Sequence, residues 1–155
     1  MALITPFDDF PIHQTAETLA VPSSSDRNHY DRYWFNGFSE EKDFLFEIGV
    51  GFYPNRHIMD AHFSISTAGK QYSYHASTRM NPARYPINIG PISLEILEPM
   101  QKIRFSLKDP EKKLSCDLIF NAITEPHLEP KSLMIEGTRK ILETSRFNQF
   151  GKWDG

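Results

Sequence analysis

Hydrophobic and polar residues alternate through most of the chain from residue 30 onward, which is the period of a half-buried β-strand. The pattern is clearest in residues 44–53, where one face carries five large apolar side chains. The opposite face of the same segment carries Gly49 and Gly51. Two glycines on one face predict a strongly bent strand, or a place where another backbone or a ligand comes close.

The same alternation predicts seven strands that begin about every 10–14 residues and are joined by short turns. They cover residues 30–38, 44–53, 58–67, 71–78, 92–96, 100–108 and 114–120. Residues 131–144 fit either a hairpin around Gly137 or a short helix, and we favour strand. The predicted fold class is therefore all-β: an antiparallel meander that closes into a barrel or forms a strongly curved sheet, with a sandwich as the other closed form.

The first 29 residues lack this pattern. Three prolines and a run of serines interrupt them, which predicts an extended arm on the surface of a single β domain spanning residues 30–155. The chain ends on RFNQFGKWDG, which reads as an edge strand without backbone partners. This ending predicts one half of a larger, two-lobed protein, or the ordered part of a longer chain. The expected partner is a second lobe of this kind or another copy in a homo-oligomer.

Composition narrows the function classes. The 155 residues carry 17 basic and 20 acidic side chains, a formal charge of −3, which argues against a nucleic-acid partner. No apolar run approaches a membrane span and no secretory signal is recognised, so the expected compartment is the cytoplasm. The single cysteine, Cys116, lies on an apolar strand face and is expected to be a small buried side chain. Aromatic residues make up 13% of the chain, a density that favours strands and apolar binding surfaces.

Candidate catalytic residues lie on the third and fourth predicted strands. Asp60 and His62 project from the same face of one strand, and His75 can meet His62 across the ladder from the next. A carboxylate beside an imidazole can serve as a proton donor or an anion site. The plain alternative is that these residues form the solvent-facing side of a half-buried strand. A metal site of two histidines and one carboxylate is a further alternative, but three residues on two strands without a fixed register do not establish it, so we expect no metal.

Candidate ligand-binding residues are mainly aromatic. Tyr33 and Trp34 lie next to each other in the first strand, so one of them must present an aromatic surface away from the core, as an interface or a ligand wall. Tyr53 is a further candidate wall, His13 of the arm is expected to fold over a pocket mouth, and Arg79 is a further candidate ligand-binding residue. Simple surface positions are the alternative for His13 and Arg79.

Five segments resemble a known family: DDFPIHQ, DRYWFNGF, GVGFYPNRHIMDAHFSI, GPISLEILEP and RFNQFGKWDG. Together they resemble the N-terminal lobe of an uncharacterised bacterial branch of the AttH / hydroxyneurosporene synthase (carotenoid 1,2-hydratase)-like group. The resemblance covers about residues 8–155. It implies a lipocalin-like antiparallel barrel followed by a second such lobe. Members with assigned activity hydrate isoprenoid double bonds or cyclise polyenes without a cofactor, but their catalytic residues do not align with this chain one by one.

Three functions follow as expectations. The first is acid-catalysed hydration, isomerisation or cyclisation of an apolar terpenoid, steroid-like or acyl molecule, with aromatic walls that stabilise a carbocation. The second is binding of a lipophilic ligand without conversion. The third is a structural lobe whose exposed aromatics are covered by a second lobe or another subunit.

Overall fold

The computed structural model describes residues 4–13, 15–41, 43–111 and 114–155. Within these ranges the regular structure is strand, apart from two short 3₁₀ turns at Pro6–Asp9 and Pro54–Arg56. The all-β prediction is therefore confirmed. All strand pairs are antiparallel, and most strands pair with the next strand along the chain.

A four-stranded sheet forms the first layer. It contains β1 (Asp31–Phe38), β2 (Phe44–Tyr53), β3 (Ile58–Thr67) and β4 (Lys70–Arg79), in that order. The first four predicted strands are confirmed to within a residue or two. In the turn between β3 and β4, Gly69 has a φ of 74°, which glycine adopts without strain.

A five-stranded sheet forms the second layer. Its strands are β5 (Ile87–Ile89), β6 (Ile92–Glu98), β7 (Lys102–Asp109), β8 (Leu114–Ala122) and β13 (Gly151–Asp154), in the spatial order β13-β8-β7-β6-β5. Thus β13, in the segment predicted as an edge strand, lies at one edge of this sheet and pairs with β8. The alternation pattern did not predict β5, because three residues are too few to establish a period.

Two short strand pairs lie outside the two large sheets. One joins β9 (His127–Leu128) to β12 (Phe147–Asn148). The other is a hairpin of β10 (Ser132–Glu136) and β11 (Arg139–Thr144), which confirms strand over helix in this region. Gly137 makes its turn with a φ of 59°.

The core lies between the two large sheets. The Phe63 ring of the first stacks on Phe105 of the second with 5.8 Å between centroids, and Phe46 meets Trp153 at 5.3 Å. The apolar faces of β2, β3, β6 and β7 supply most of the buried side chains. The sheets remain open, and no closed barrel is found among the described strands.

The N-terminal arm is anchored in the domain by a few buried residues, while most of its other described residues are exposed or half-buried. Ile12 and Leu19 are fully buried members of the core. The Arg84 side chain donates hydrogen bonds to the carbonyls of Pro11, Ile12 and Thr15. The alternation pattern did not indicate the burial of Ile12 and Leu19, because apolar residues isolated between prolines show no periodicity.

Candidate functional site

The outward face of the first sheet collects polar and aromatic side chains in rows that run across its strands. The register aligns three such rows. They are Arg32–Gly51–Asp60–Ser77, Trp34–Gly49–His62–His75 and Asn36–Glu47–Ser64–Ser73. The predicted catalytic residues Asp60, His62 and His75 are thus brought together on one face.

A pocket of about 430 Å³ lies over the first two rows. We call it the outer-face pocket; it is lined by Arg32, Gly49, Tyr53, Asp60, Ala61, His62, His75, Ala76 and Ser77. Its walls are largely polar, and it is an open hollow on the sheet surface. A lipocalin-like barrel would hold its ligand in an apolar interior. These residues instead lie on the outer face of a sheet, and the core side chains of the two sheets contact each other directly.

The two glycines of β2 explain how this pocket fits on a pleated sheet. A Cβ on Gly49 would lie 2.2 Å from Cε1 of His62. A Cβ on Gly51 would lie 2.6 Å from Oδ1 of Asp60 and 2.9 Å from the Tyr53 hydroxyl. Because glycine has no side chain, the side chains of His62, Asp60 and Tyr53 can pack directly against the backbone of β2. The close approach predicted for this glycine face is made by side chains of the protein itself.

His62 is held by contacts on three sides. Its Nε2 lies 3.0 Å from Oε1 of Glu47. Its ring stacks on His75 with 5.8 Å between centroids and meets the Trp34 ring edge-on at 6.2 Å. Because an ionised carboxylate only accepts hydrogen bonds, Nε2 is the nitrogen that carries the proton. Nδ1 makes no hydrogen bond within the described part of the chain, so it is open to a ligand.

Tyr53 and Asp60 form a second polar pair, above Gly51. Burial raises the pKa of Tyr53, and the negative charge and hydrogen bonding of Asp60 raise it further. Arg32 acts in the opposite direction and lowers that pKa. The Tyr53 hydroxyl therefore stays protonated near neutral pH and donates to the Asp60 carboxylate.

Arg32 lines the pocket on the β1 side, and Trp34 lies next to it. The guanidinium carbon of Arg32 lies 4.6 Å from the centroid of the Trp34 ring, a cation–π geometry. Trp34 is 52% exposed, so the outward aromatic predicted for this strand is confirmed.

Three predicted ligand residues lie away from the pocket. Tyr33 points to the opposite face of the sheet, where its hydroxyl donates to the carbonyl of Asp9, and burial raises its pKa well above the usual value. This placement corrects the assignment of Tyr33 to the same ligand wall as Trp34. His13 pairs with Asp8 at 2.9 Å in the arm, and Arg79 is exposed at the end of β4; neither lines the pocket.

Two residues of the site were not singled out from the sequence. Glu47 shares the glycine face of β2 by simple alternation, and Arg32 shares a face with Trp34. The alternation of side-chain direction along each strand could have placed Glu47 on the face of Gly49 and Arg32 on the face of Trp34. It could not show that Glu47 reaches His62, because that contact depends on the pairing of β2 with β3.

No metal centre and no membrane helix is found in the parts of the chain that the structure describes. Within those ranges, no set of three or more His, Cys, Asp or Glu side chains is grouped to hold a metal ion. Nor does any described helix have the length and apolar character needed to cross a membrane.

A second hollow, of about 740 Å³, lies at the far end of the same sheet. Phe38, Phe44 and Leu45 form its apolar wall, and the turn between β3 and β4 forms the rest. Phe38 and Leu45 are 68% and 53% exposed, respectively. We call this the apolar hollow.

Comparison with known proteins gives a family without an assigned activity. The sequence model described as "Family of unknown function (DUF8625)" matches residues 4–155. No curated protein and no solved structure matches the chain.

Proposed function

Because the chain belongs to DUF8625, we propose its function from the geometry of its site: the outer-face pocket binds a small unsaturated molecule and transfers a proton to or from it without a cofactor. The reactions in this class are hydration of a carbon–carbon double bond, its reversal, and isomerisation. The observation that carries the proposal is the hydrogen bond between Glu47 and His62, a histidine that lines the pocket together with Asp60 and His75.

His62 is the proposed acid–base group. A carboxylate that accepts a hydrogen bond from the Nε2–H group fixes the tautomer and the orientation of an imidazole, as in other acid–base sites. The open Nδ1 then takes a proton from a ligand in the neutral ring and returns it from the charged ring. His75 and Asp60 are the nearest titratable neighbours and complete the polar end of the site.

The aromatic side chains determine which ligands fit. Trp34 and Tyr53 offer faces to an unsaturated or alicyclic segment, and such faces stabilise a developing carbocation. The polar lining requires that the ligand also carries a polar group. A terpenoid, steroid-like or acyl molecule with a polar head meets both conditions. The antiparallel all-β architecture supports, as part of this proposal, a lipocalin-like relationship to the AttH / hydroxyneurosporene synthase group.

Deuterium incorporation tests proton transfer even while the natural substrate is unidentified. The protein is incubated in D₂O with isoprenoid alcohols and with sorbic, cinnamic and farnesoic acids, and the products are analysed by mass spectrometry. We expect deuterium to enter at least one compound, and His62→Gln to slow its entry by about a hundredfold or more. His127→Gln, an exposed histidine on β9, is the matched control and should be as active as wild type. If no compound gains deuterium, or if His62→Gln is fully active, the proposal is wrong.

Binding of a lipophilic ligand without conversion is a second candidate, which the apolar hollow favours. Its exposed Phe38 and Leu45 would cover the tail of an acyl or isoprenoid chain. We expect organic extraction of purified protein to release such a molecule, unaltered, and Leu45→Glu to abolish its retention. Leu97→Glu, at a similarly exposed position on β6, is the control. Equal retention by wild type and Leu45→Glu would contradict this function.

The hairpin of β10 and β11 favours an interface with a second copy of this chain. Leu133, Met134 and Ile135 are each more than half exposed, and an isolated two-stranded hairpin is only marginally stable in water. Ile141 is an extra residue in β11, since Met134 pairs with Leu142 and Ile135 with Lys140. This extra residue interrupts the regular pairing pattern of β11, so β10 is the strand whose edge is regular enough to pair with another strand.

Two antiparallel copies of β10 centred on Met134 place Leu133 of one copy opposite Ile135 of the other, so that apolar residues meet apolar residues. Light scattering after size exclusion should give a dimer for wild type and a monomer for Ile135→Lys. Ile123→Lys, exposed outside the hairpin, should stay dimeric. A monomeric wild type would contradict self-pairing.

A further inference from the structure

The Arg32 side chain is held in place but lacks a polar partner. Its guanidinium covers the Trp34 ring at 4.6 Å, and its side chain forms no ion pair or hydrogen bond among the described residues. Arg84 and Arg104 use their donors within the fold, on three carbonyls of the arm and on the Asp117 carboxylate. Arg32 differs from the exposed Arg27, Arg79 and Arg139 because its guanidinium lies over an aromatic ring and its side chain lines a pocket. Arg32 therefore presents unused donors at the wall of the outer-face pocket.

We infer that Arg32 binds a carboxylate on the ligand of the outer-face pocket, so that the substrate class is an unsaturated carboxylic acid; this inference rests on the proposed function. The guanidinium carbon lies over the indole, and none of the guanidinium N–H groups is used in a hydrogen bond to the described residues. A guanidinium carries paired N–H groups in a planar fork, and a carboxylate matches this fork with two parallel hydrogen bonds.

The positions of Trp34 and His62 determine how a ligand bound to Arg32 is oriented in this proposal. Trp34 contacts both Arg32 and His62, the second at 6.2 Å between ring centroids. A carboxylate on Arg32 therefore lies at one end of the indole, and the unsaturated segment extends along the indole towards the imidazole. Asp60 is occupied by the Tyr53 hydroxyl, so its negative charge is partly satisfied while the ligand carboxylate binds Arg32.

This arrangement also explains the chemistry expected at His62. A double bond close to a carboxylate would lie beside the open Nδ1 of His62, where a proton can be moved to or from carbon. In this scheme Arg32 is a binding and positioning residue, and His62 carries the proton.

The test compares acids with their neutral isosteres. Sorbic, cinnamic and farnesoic acids and their primary amides are titrated into the full chain at neutral pH by calorimetry. We expect the wild type to bind at least one acid about tenfold or more tightly than its amide, a difference within the range of a charge-assisted hydrogen-bonded pair. Arg32→Gln should remove that preference, and Arg32→Lys should retain only part of it because it keeps the charge and loses the fork. Arg139→Gln, an exposed arginine on β11, should behave as wild type.

Equal affinity for acid and amide, a preference that survives in Arg32→Gln, or no binding of any of these acids would overturn the inference. The deuterium experiment separates this failure from a failure of the proposed function. Proton transfer that depends on His62 but not on a ligand carboxylate would leave the proposed function standing without the role for Arg32.

Discussion

Gly49 and His62 face each other across β2 and β3, and the histidine ring occupies the space where any other residue at position 49 would carry its Cβ. The distance from that Cβ position to Cε1 of His62 is 2.2 Å, well inside van der Waals contact. A glycine on an otherwise regular strand is therefore coupled to the orientation of the candidate acid–base group.

Gly49→Ala should move His62 without unfolding the protein. The imidazole lies on the outer face and can rotate away, so we expect loss of the Glu47 contact and a change in stability of about 1 kcal/mol or less. The chemical shifts of the His62 ring protons, compared with those of wild type at one fixed pH, report the change. Gly51→Ala is the matched comparison, since its Cβ meets Asp60 and Tyr53 instead. Unchanged chemical shifts of the His62 ring protons in Gly49→Ala would contradict the coupling.

Arg84→Ala should loosen the N-terminal arm. The substitution removes the hydrogen bonds to Pro11, Ile12 and Thr15, and we expect the free energy of unfolding in urea to fall by about 2 kcal/mol. Limited proteolysis should cut the arm first. Arg27→Ala, an exposed arginine whose side chain makes no such bonds, should match wild type. If both variants are equally stable, the arm does not depend on Arg84.

The Cys116 thiol should react slowly while the protein is folded. Burial raises the pKa of this thiol to about 11, with a smaller contribution from Asp117. Because only the thiolate is alkylated, we expect labelling by iodoacetamide at about pH 8 to be roughly a hundredfold slower than in urea. Ser115→Cys in a Cys116→Ser background puts a thiol on the exposed face of the same strand and should label quickly. Equal rates at the two positions would refute the protection.

Asp9 should make the protein more stable as the pH falls. Burial raises the pKa of this carboxyl above its usual 3.8, although the backbone N–H of Met100 donates to it and lowers the pKa in part. The folded state therefore takes up a proton more readily than the unfolded chain. Stability consequently declines as the pH rises from about 3.8 through the higher folded-state pKa.

Asp9→Asn removes this titration while keeping an oxygen that accepts from Met100. The free energy of unfolding of wild type, measured in urea between about pH 4 and pH 7, should fall relative to that of Asp9→Asn as the pH rises. Parallel pH profiles for the two proteins would show that Asp9 does not contribute in this way.

The sequence by itself determined the local features of this protein. Alternation decided that Asp60 and His62 share a face, that Trp34 points away from Tyr33, and that β2 has a glycine face. Side-chain direction along a strand reverses at each residue, so no distant contact is needed to establish these facts. Gly137 likewise indicated the turn of the hairpin, because its positive φ is a local requirement.

Only the tertiary structure decided which strands pair and which faces are covered. The pairing of β2 with β3 brings Glu47 to His62, and the stacking of the two sheets turns Tyr33 inward and fills the interior. Tertiary packing also buries Ile12 of the proline-rich arm, whose carbonyl accepts a hydrogen bond from Arg84. The hydrophobic pattern of the arm has no periodicity from which this burial could be predicted. These outcomes depend on register and packing between residues far apart in the chain. A pattern read over a few neighbouring positions contains no such information.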